Sequence, residues 1–537
     1  MKKNKIITLI LIVALVLSLL SFTGCSDGSK VSNELAEGQT LIIQDSAWEG
    51  VDLFQVSSWN DMQCLLADPI LEKDPETGAV LPGIASDSQW SEDGLTWTLT
   101  FPEGMKYSTG EQVEPEDFIA SVEYGLEVSP YADGYRAIES MEVDGRNVIV
   151  NLSEYQADMQ YNFQSCFVGL IDKDEIDNMS ADDKLWGCHP YGAYYLDEYQ
   201  PGAFAILKAN EGYKTNNPML KNQGSSPVKT LKVVFTGEDF TFAQGVKNGD
   251  YDVLSTVPSE YYDELKAADN IDIFEAYGAE VNYVELNMTD SLFQDINIRK
   301  AIIHAISRDN LAKYLSEFET PAYSLVLKKC LNYSDKAVDY YKSNYGYDTD
   351  KSKQLLADAG WKDTNNDGFI DKDGSNFVFE FNCRDSETAK KVAQSLQIDL
   401  KAVGIDMQIK TQNWSYVNQD VVDGNFQMGY LGLGWSEPFL LVDNFCNRNV
   451  ECTNPDPEKY NEMVAKARKT VDYDEITEQI TAIQKKLFDY CTIIPLIDNN
   501  GYRCWRSEIK GIVHTPTGGF YLGDVVTDAD GNFKNVK

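Results

Sequence analysis

The residues whose types and spacing most readily suggest chemistry lie between Asp363 and Gly374. Asp363, Asn365, Asp367, Gly368 and Asp371 fall at positions 1, 3, 5, 6 and 9 of a calcium-binding loop, where oxygen ligands alternate and a glycine makes the sharp turn. The twelfth position is Gly374 where such a loop needs a bidentate glutamate, so one of the strongest oxygen ligands is missing. The stretch is a candidate calcium site on Asp363, Asn365, Asp367 and Asp371, or else a turn whose Asx side chains bond their own backbone. No other cofactor is expected. His189, His304 and His514 are the only histidines, and there is no H-E-x-x-H, no G-x-S-x-G elbow and no phosphate-binding glycine loop. His304 falls within a helical pattern, where a capped or half-buried imidazole is the simpler role. Carboxylates are too abundant for any pair to stand out as a glycosidase dyad. The expectation is that the chain is not an enzyme.

Cys25 is the one cysteine with a distinctive context. Lys2, Lys3 and Lys5 give a positive start, the 15 residues Ile6 to Leu20 are apolar apart from Thr8 and Ser18, and Ser21-Phe22-Thr23-Gly24 follow. That is a signal peptide over 1–24; 15 residues fall short of the roughly 20 needed to span a bilayer as a helix. Thr23 and Gly24 before Cys25 resemble the lipobox of bacterial lipoproteins, whose cysteine is acylated with diacylglycerol and becomes the new amino terminus, although Phe22 stands where leucine is usual. Ordinary secretory cleavage, with Cys25 incidental, is the alternative. Each buried methylene contributes about 0.8 kcal/mol, so two or three acyl chains hold a domain on a membrane almost permanently. The other nine cysteines are an odd number without a C-x-x-C pair. They are expected to be mostly small buried hydrophobes in a chain that does not need disulfides to fold.

Cleavage after Gly24 leaves 513 residues, more than one hydrophobic core usually serves, so at least two lobes are expected. Without the leader lysines, 43 basic residues face 85 acidic ones, a net charge of −42. Nucleic acid is then excluded as a partner, because phosphate binding needs a basic footprint. The same charge repels an anionic bilayer, which suits a chain standing off the membrane on a leash. Residues 25–37 are short, polar and aperiodic, as such a leash would be.

Elements follow from periodicity. Leu41-Ile42-Ile43 starts a strand, and Leu95, Trp97, Leu99 and Phe101 alternate with threonines in a half-buried one. Pro115-Glu116-Asp117 opens a helix with Phe118, Val122 and Leu126 on its apolar face. Ile298, Ala301, Ile302 and Ala305 mark another helix. Val392, Leu396, Leu400 and Val403, closed by Gly404, mark a third that feeds a strand through Ile405, Met407 and Ile409. Ile476, Ile480, Ile483 and Leu487 mark the last long helix. Helices alternating with strands point to α/β lobes, without a repeat of 20 to 50 residues.

An ordered set of short words runs through this framework: Asp74-Pro75-Glu76-Thr77-Gly78, Leu81-Pro82-Gly83-Ile84-Ala85, Trp90, Ser91-Glu92-Asp93-Gly94-Leu95-Thr96-Trp97, Gly104 to Gly110 and Pro115-Glu116-Asp117-Phe118. Pro190-Tyr191-Gly192, Asn210-Glu211-Gly212-Tyr213, Gly245 to Val253, Tyr283 to Asn287, Ile298-Arg299-Lys300-Ala301 and Ala359-Gly360-Trp361 continue it. Together they resemble the family 5 solute-binding proteins, the oligopeptide- and dipeptide-binding components of ABC importers. The resemblance implies an α/β fold of the two-lobed periplasmic-binding-protein type (type II) with an extra domain, the lobes joined by two crossing strands near 282–288 and 492–500. Lobe I would comprise 38–70, 190–285 and 500–537, domain II 71–189, and lobe III 286–499. It further implies a peptide ligand closed between lobes, a membrane ABC permease as partner, a lipid anchor on the outer face of the cell membrane, and a monomer.

In that family an aspartate of a Gly-Trp-x-x-Asp-Tyr-x-x-Pro loop pairs with the peptide's amino terminus. Here the matching loop runs from Gly429 to Pro438, and counting back from Glu437-Pro438 puts Gly434 at the aspartate's place. The amine anchor is missing, and losing one partner of such a buried charge pair typically costs about 2–5 kcal/mol. Glu437 or Asp443 could substitute, or the cargo is a blocked peptide, a glycan or a metal chelate. Trp414, Tyr430, Gly434, Trp435 and Glu437 are the candidate ligand-binding residues, the tryptophans as pocket walls or as core.

Overall fold

The computed structural model describes residues 39–56, 62–74, 79–315, 318–328, 330–434, 438–447, 449–470, 472–515 and 519–534. The leader, Cys25 and the leash lie outside the described residues, as do Trp435 and Glu437. Among the described residues no helix is long and apolar enough to cross a membrane.

Among the described residues eleven strands form one mixed sheet. In chain order they are β1 (Thr40–Gln44), β2 (Tyr194–Gln200), β3 (Phe204–Ala209), β4 (Thr230–Val234), β5 (Val253–Leu254), β6 (Ile271–Leu286), β7 (Glu319–Pro321), β8 (Val378–Arg384), β9 (Asp406–Gln412), β10 (Met428–Gly434) and β11 (Ile493–Arg506). Their order across the sheet is β9-β8-β10-β6-β11-β5-β1-β4-β3-β2, with β7 also on β11. The long strands β6 and β11 therefore belong to both halves. Residues 271–276 pair with 501–506 on the lobe I side, and residues 280–286 pair with β10 and with 493–499 on the lobe III side. The register breaks between Ala276 and Glu280, and such a break bends and twists a strand.

The break at 276–280 lies just ahead of the expected crossing at 282–288 and the expected boundary at 285. Val281, Tyr283, Val284 and Leu286, beyond the break, belong to the buried cluster that also holds Ile298, Leu396 and Ile480. A second buried cluster runs without interruption from Leu41 in lobe I through Trp97, Phe118 and Phe163 of domain II to Phe533. Domain II has its own four-stranded sheet but shares the lobe I core, so the two make one body. A smaller cluster around Phe242, Leu265 and Cys504 covers the other face of lobe I.

Most local expectations hold. The helix Pro115–Val128 starts with Pro115 and a reciprocal cap between Glu114 and Asp117, each serving an otherwise orphaned backbone donor. Phe118 and Val122 are buried, and Leu126 is partly so. The helices Ile296–Ala305, Glu387–Lys401 and Tyr473–Tyr490 bury the predicted faces, and Gly404 adopts φ +85° where the second of these turns into β9. Leu95 is the exception: it stands exposed just before the strand Thr96–Thr100. Cys64 and Cys166 are bonded to one another across a sequence separation of 102. Cys188, Cys383, Cys452, Cys491 and Cys504 are free thiols, and they and Cys330 are buried.

Separate chain segments are tied by buried carboxylates. Asp252 accepts from the β1 amide of Ile42 at 2.8 Å and pairs with Lys534 at 2.8 Å. At the entry to domain II, Asp68 accepts from the Tyr213 hydroxyl at 2.5 Å, while Glu72 accepts from Asn217 at 3.0 Å and from the Tyr521 hydroxyl at 2.9 Å. Burial pushes the Asp68 carboxyl up to about 7; burial, then the charge of Asp68, pushes Glu72 up to about 8. A carboxyl whose folded pKa is raised contributes stability that is complete below its unfolded pKa near 4 and is lost as pH rises through the folded value. The contribution of these two groups to the unfolding free energy should therefore fall between about pH 4 and pH 8, by up to about 1.4 kcal/mol per proton and pH unit, and the thermal midpoint should fall with it. Asp68→Asn with Glu72→Gln should flatten that slope; equal slopes in calorimetry of the two proteins would refute the assignment.

Candidate functional site

The strands β8, β9 and β10 run parallel, and their carboxyl ends at Arg384, Gln412 and Gly434 share one edge beside the lobe junction. In open α/β sheets the crevice at the carboxyl ends of strands is where ligands bind. Register brings a row of polar residues to this place: Glu319 of β7 faces Asn499 of β11, Asn499 faces Glu280 of β6, and Glu280 faces Gly434 of β10. Directly opposed residues project from the same face of a sheet.

Next to this row lies Asn282, which is almost fully buried. Its Oδ1 accepts from the Tyr430 hydroxyl at 2.9 Å and from Asn499 Nδ2 at 2.9 Å, and its Nδ2 donates to Glu280 Oε1. Glycines on β10 make room for this arrangement. A Cβ at Gly432 would stand 2.1 Å from Glu280 Oε1, so the Glu280 carboxylate lies over bare backbone. Burial, and then the Glu280 charge, push the Tyr430 hydroxyl well above the usual phenol range. It is a neutral donor throughout the physiological range and holds Asn282 in one orientation.

The structure places the predicted residues unevenly around this site. Tyr430 is in it but beneath its surface, 4% exposed, where it orients Asn282. Gly434 ends the row and is exposed. Trp414 is 40% exposed at the start of the helix Trp414–Val422, which follows β9 at the same edge. Asp443 is occupied by Arg468, at 2.5 Å. Glu280, Asn282, Glu319 and Asn499 were not singled out by sequence reasoning. The available signal was the alternation of polar Glu280 and Asn282 with apolar neighbours in an otherwise buried strand.

The calcium-like loop lies elsewhere, before the amino end of β8, about 20 Å away by the rise of a seven-residue strand. Asp371 accepts from the amide and hydroxyl of Thr364, Asp367 from the amide of Phe369, and Asp363 from the amide of Gly368. Asn365 Oδ1 accepts from the amide of Asp367. These oxygens serve their own loop in the manner of Asx turns. Among the described residues no group of three or more His, Cys, Asp or Glu side chains is arranged to hold a metal ion. Two histidines have polar partners: His304 Nδ1 lies 2.7 Å from the Gly346 carbonyl and His189 Nδ1 lies 2.7 Å from Glu175; burial, and then Arg503, lower His514 to about 4.

Comparison with known proteins finds the family described as "Bacterial extracellular solute-binding proteins, family 5 Middle" over residues 79–457. The oligopeptide-binding protein AppA of Bacillus subtilis (strain 168) is 25% identical over 460 residues, 81% of this chain and 82% of its own. The dipeptide-binding protein of Escherichia coli (strain K12) is 23% identical over 486 residues, 84% of this chain and 86% of its own. Among solved structures, NikA from Brucella suis in complex with Fe(III)-EDTA superposes with a TM-score of 0.78 at 18% identity, covering 91% of this chain and 99% of that one.

Asn282→Ala should leave the Tyr430 hydroxyl and the Asn499 amide without their acceptor. A loss of about 1–3 kcal/mol is expected in urea unfolding, larger than that of Tyr430→Phe, which removes only one donor. Equal losses would show that Asn282 is not the hub.

Proposed function

Because this chain belongs to the bacterial extracellular solute-binding proteins, family 5, we propose that it is the extracytoplasmic receptor of an ABC importer. It captures an oligopeptide or similarly extended solute between lobe I and lobe III and delivers it to a membrane permease. The observation that carries this reading is the polar row at the lobe junction, built on the two strands that join the lobes. Backbone edges and amides beside a register break can hold an extended main chain, and water can fill the remaining side-chain space. Closure would follow from tighter binding of cargo by the closed form than by the open one. The similarity to oligopeptide- and dipeptide-binding proteins supports peptide cargo.

A second reading is favoured by one observation: the Gly429–Pro438 loop carries no aspartate at the place of the amine anchor. The cargo would then be an amine-blocked peptide or a non-peptide solute such as a glycan or a metal chelate. The likeness of the fold to NikA with Fe(III)-EDTA makes the last of these worth testing. A secreted hydrolase is a third and weaker reading. In all three the protein is a monomer moored by acylated Cys25 on the outer face of the cell membrane.

Native mass spectrometry of the mature chain as purified, followed by sequencing of what is released, is the deciding experiment. Intact peptides are expected; cleaved products would point to hydrolysis, and a sugar- or chelate-filled cleft would replace peptide by other cargo. Acetylated and free peptides of one sequence should bind with similar affinity, because no aspartate reads the amine from that loop. For the anchor, labelled palmitate should enter the wild-type chain and not Cys25→Ser, which should leave the membrane fraction; equal labelling of both would remove the anchor from the account.

A further inference from the structure

Lobe III touches the body made by lobe I and domain II at a second place, far along the chain from the crossing strands. The helix Pro457–Arg468 of lobe III ends where domain II enters the short helix Met159–Asn162. The carbonyl of Arg468 accepts from the amide of Ala157 at 2.6 Å. Arg468 Nε lies 3.3 Å from Asp158 Oδ2, and Lys469 Nζ lies 2.6 Å from Glu154 Oε2. Ala157 packs among the buried residues of lobe III, although its neighbour Met159 belongs to the core of the other body.

Beside this contact lies a cavity of about 640 Å³, lined from domain II by Tyr131, Arg136 and Tyr155 and from lobe III by Asp443, Asn461 and Arg468. The two bodies thus meet along a narrow rim next to open volume, unlike the continuous packing that joins domain II to lobe I. A rim of few contacts can part without disturbing either core.

The chemistry at the rim is asymmetric. Asp158 has no exposed surface, and the cation facing its carboxylate comes from the other body. Arg468 is positioned by its own lobe, with Nη2 2.5 Å from Asp443 Oδ2 and the guanidinium 6.0 Å from the centre of the Phe439 ring. It therefore keeps a carboxylate partner when the bodies part, whereas Asp158 in its dry seat keeps the Gln156 side chain but loses the cation that faces it. A buried carboxylate deprived of its cation is strongly disfavoured unless water reaches it. Lys469 and Glu154 are each about half exposed, and such a pair contributes little by itself but fixes orientation.

We propose that Arg468 and Lys469 form a closure latch, which seats on Ala157, Asp158 and Glu154 of domain II and biases the two bodies toward the closed arrangement. The proposal rests on the reading that the lobes close on cargo, and it adds a closing contact outside the crossing strands. Cargo then needs to supply less of the difference in binding between open and closed forms.

The test is small-angle X-ray scattering of the ligand-free mature chain, with thermal melting as a check on folding. Glu154→Lys, which faces Lys469 with a like charge, should raise the radius of gyration, and the swap Glu154→Lys with Lys469→Glu should restore it. Arg468→Gln should raise it further, and adding Asp158→Asn, which removes the stranded charge, should bring it part of the way back. If Arg468→Gln does not fold, the Glu154 and Lys469 series decides alone. An unchanged radius in the single variants, or doubles that fail to restore it, would overturn the latch. Cargo found by mass spectrometry in a protein whose scattering ignores these changes would leave the receptor reading standing and the latch refuted.

Discussion

Everything in this molecule hangs on the pairing of two long strands, Ile271–Leu286 and Ile493–Arg506. Each enters the core of one body and leaves through the core of the other, so the backbone ladder is continuous from edge to edge of the sheet. A ladder without interruption would fuse the lobes into one rigid block. Instead the register slips between Ala276 and Glu280, where three residues of one strand stand against Asn500 of the other. The amide of Asn500 turns aside to the carbonyl of Phe318 at 2.5 Å. A bulge keeps the strands connected while relaxing the pairing, which is the geometry a hinge needs.

The distribution of cores fits this arrangement. Lobe I and domain II share one buried cluster although their segments are scattered through the chain, and Asp68, Glu72 and Asp252 tie those segments with hydrogen bonds that only distant residues can supply. Lobe III keeps a core of its own. Parting tightly packed side chains within either body would forfeit dispersion and burial together. The polar row of Glu319, Asn499 and Glu280 sits beside the register break.

The site and the rim use polarity in different ways. At the junction, Tyr430 and Asn499 converge on one amide, and Gly432 leaves the Glu280 carboxylate its space. Such a fully engaged cluster is held in one arrangement by its own hydrogen bonds. At the rim, the charges are divided between bodies: Asp158 on one, Arg468 on the other, with Asp443 holding the arginine in readiness.

The sequence by itself determined the local elements, the α/β class and the family. Periodicity alone specifies which face of Glu387–Lys401 or Tyr473–Tyr490 is buried, because an apolar stripe has a single way to leave water. Proline at the first position of Pro115–Val128 and glycine after Ala402 and Val403 mark ends because their backbone preferences are intrinsic to those residues. Tertiary structure decided what depends on register and on residues far apart in the chain. It put a register break at 276–280 in the long strand, paired Cys64 with Cys166 across 102 residues, and buried Tyr430 with its hydroxyl on Asn282. It also gathered Glu280, Glu319 and Asn499 into one row. Side-chain types show that such groups can hydrogen-bond, but which of them meet is fixed by strand register, and register is a property of the assembled sheet.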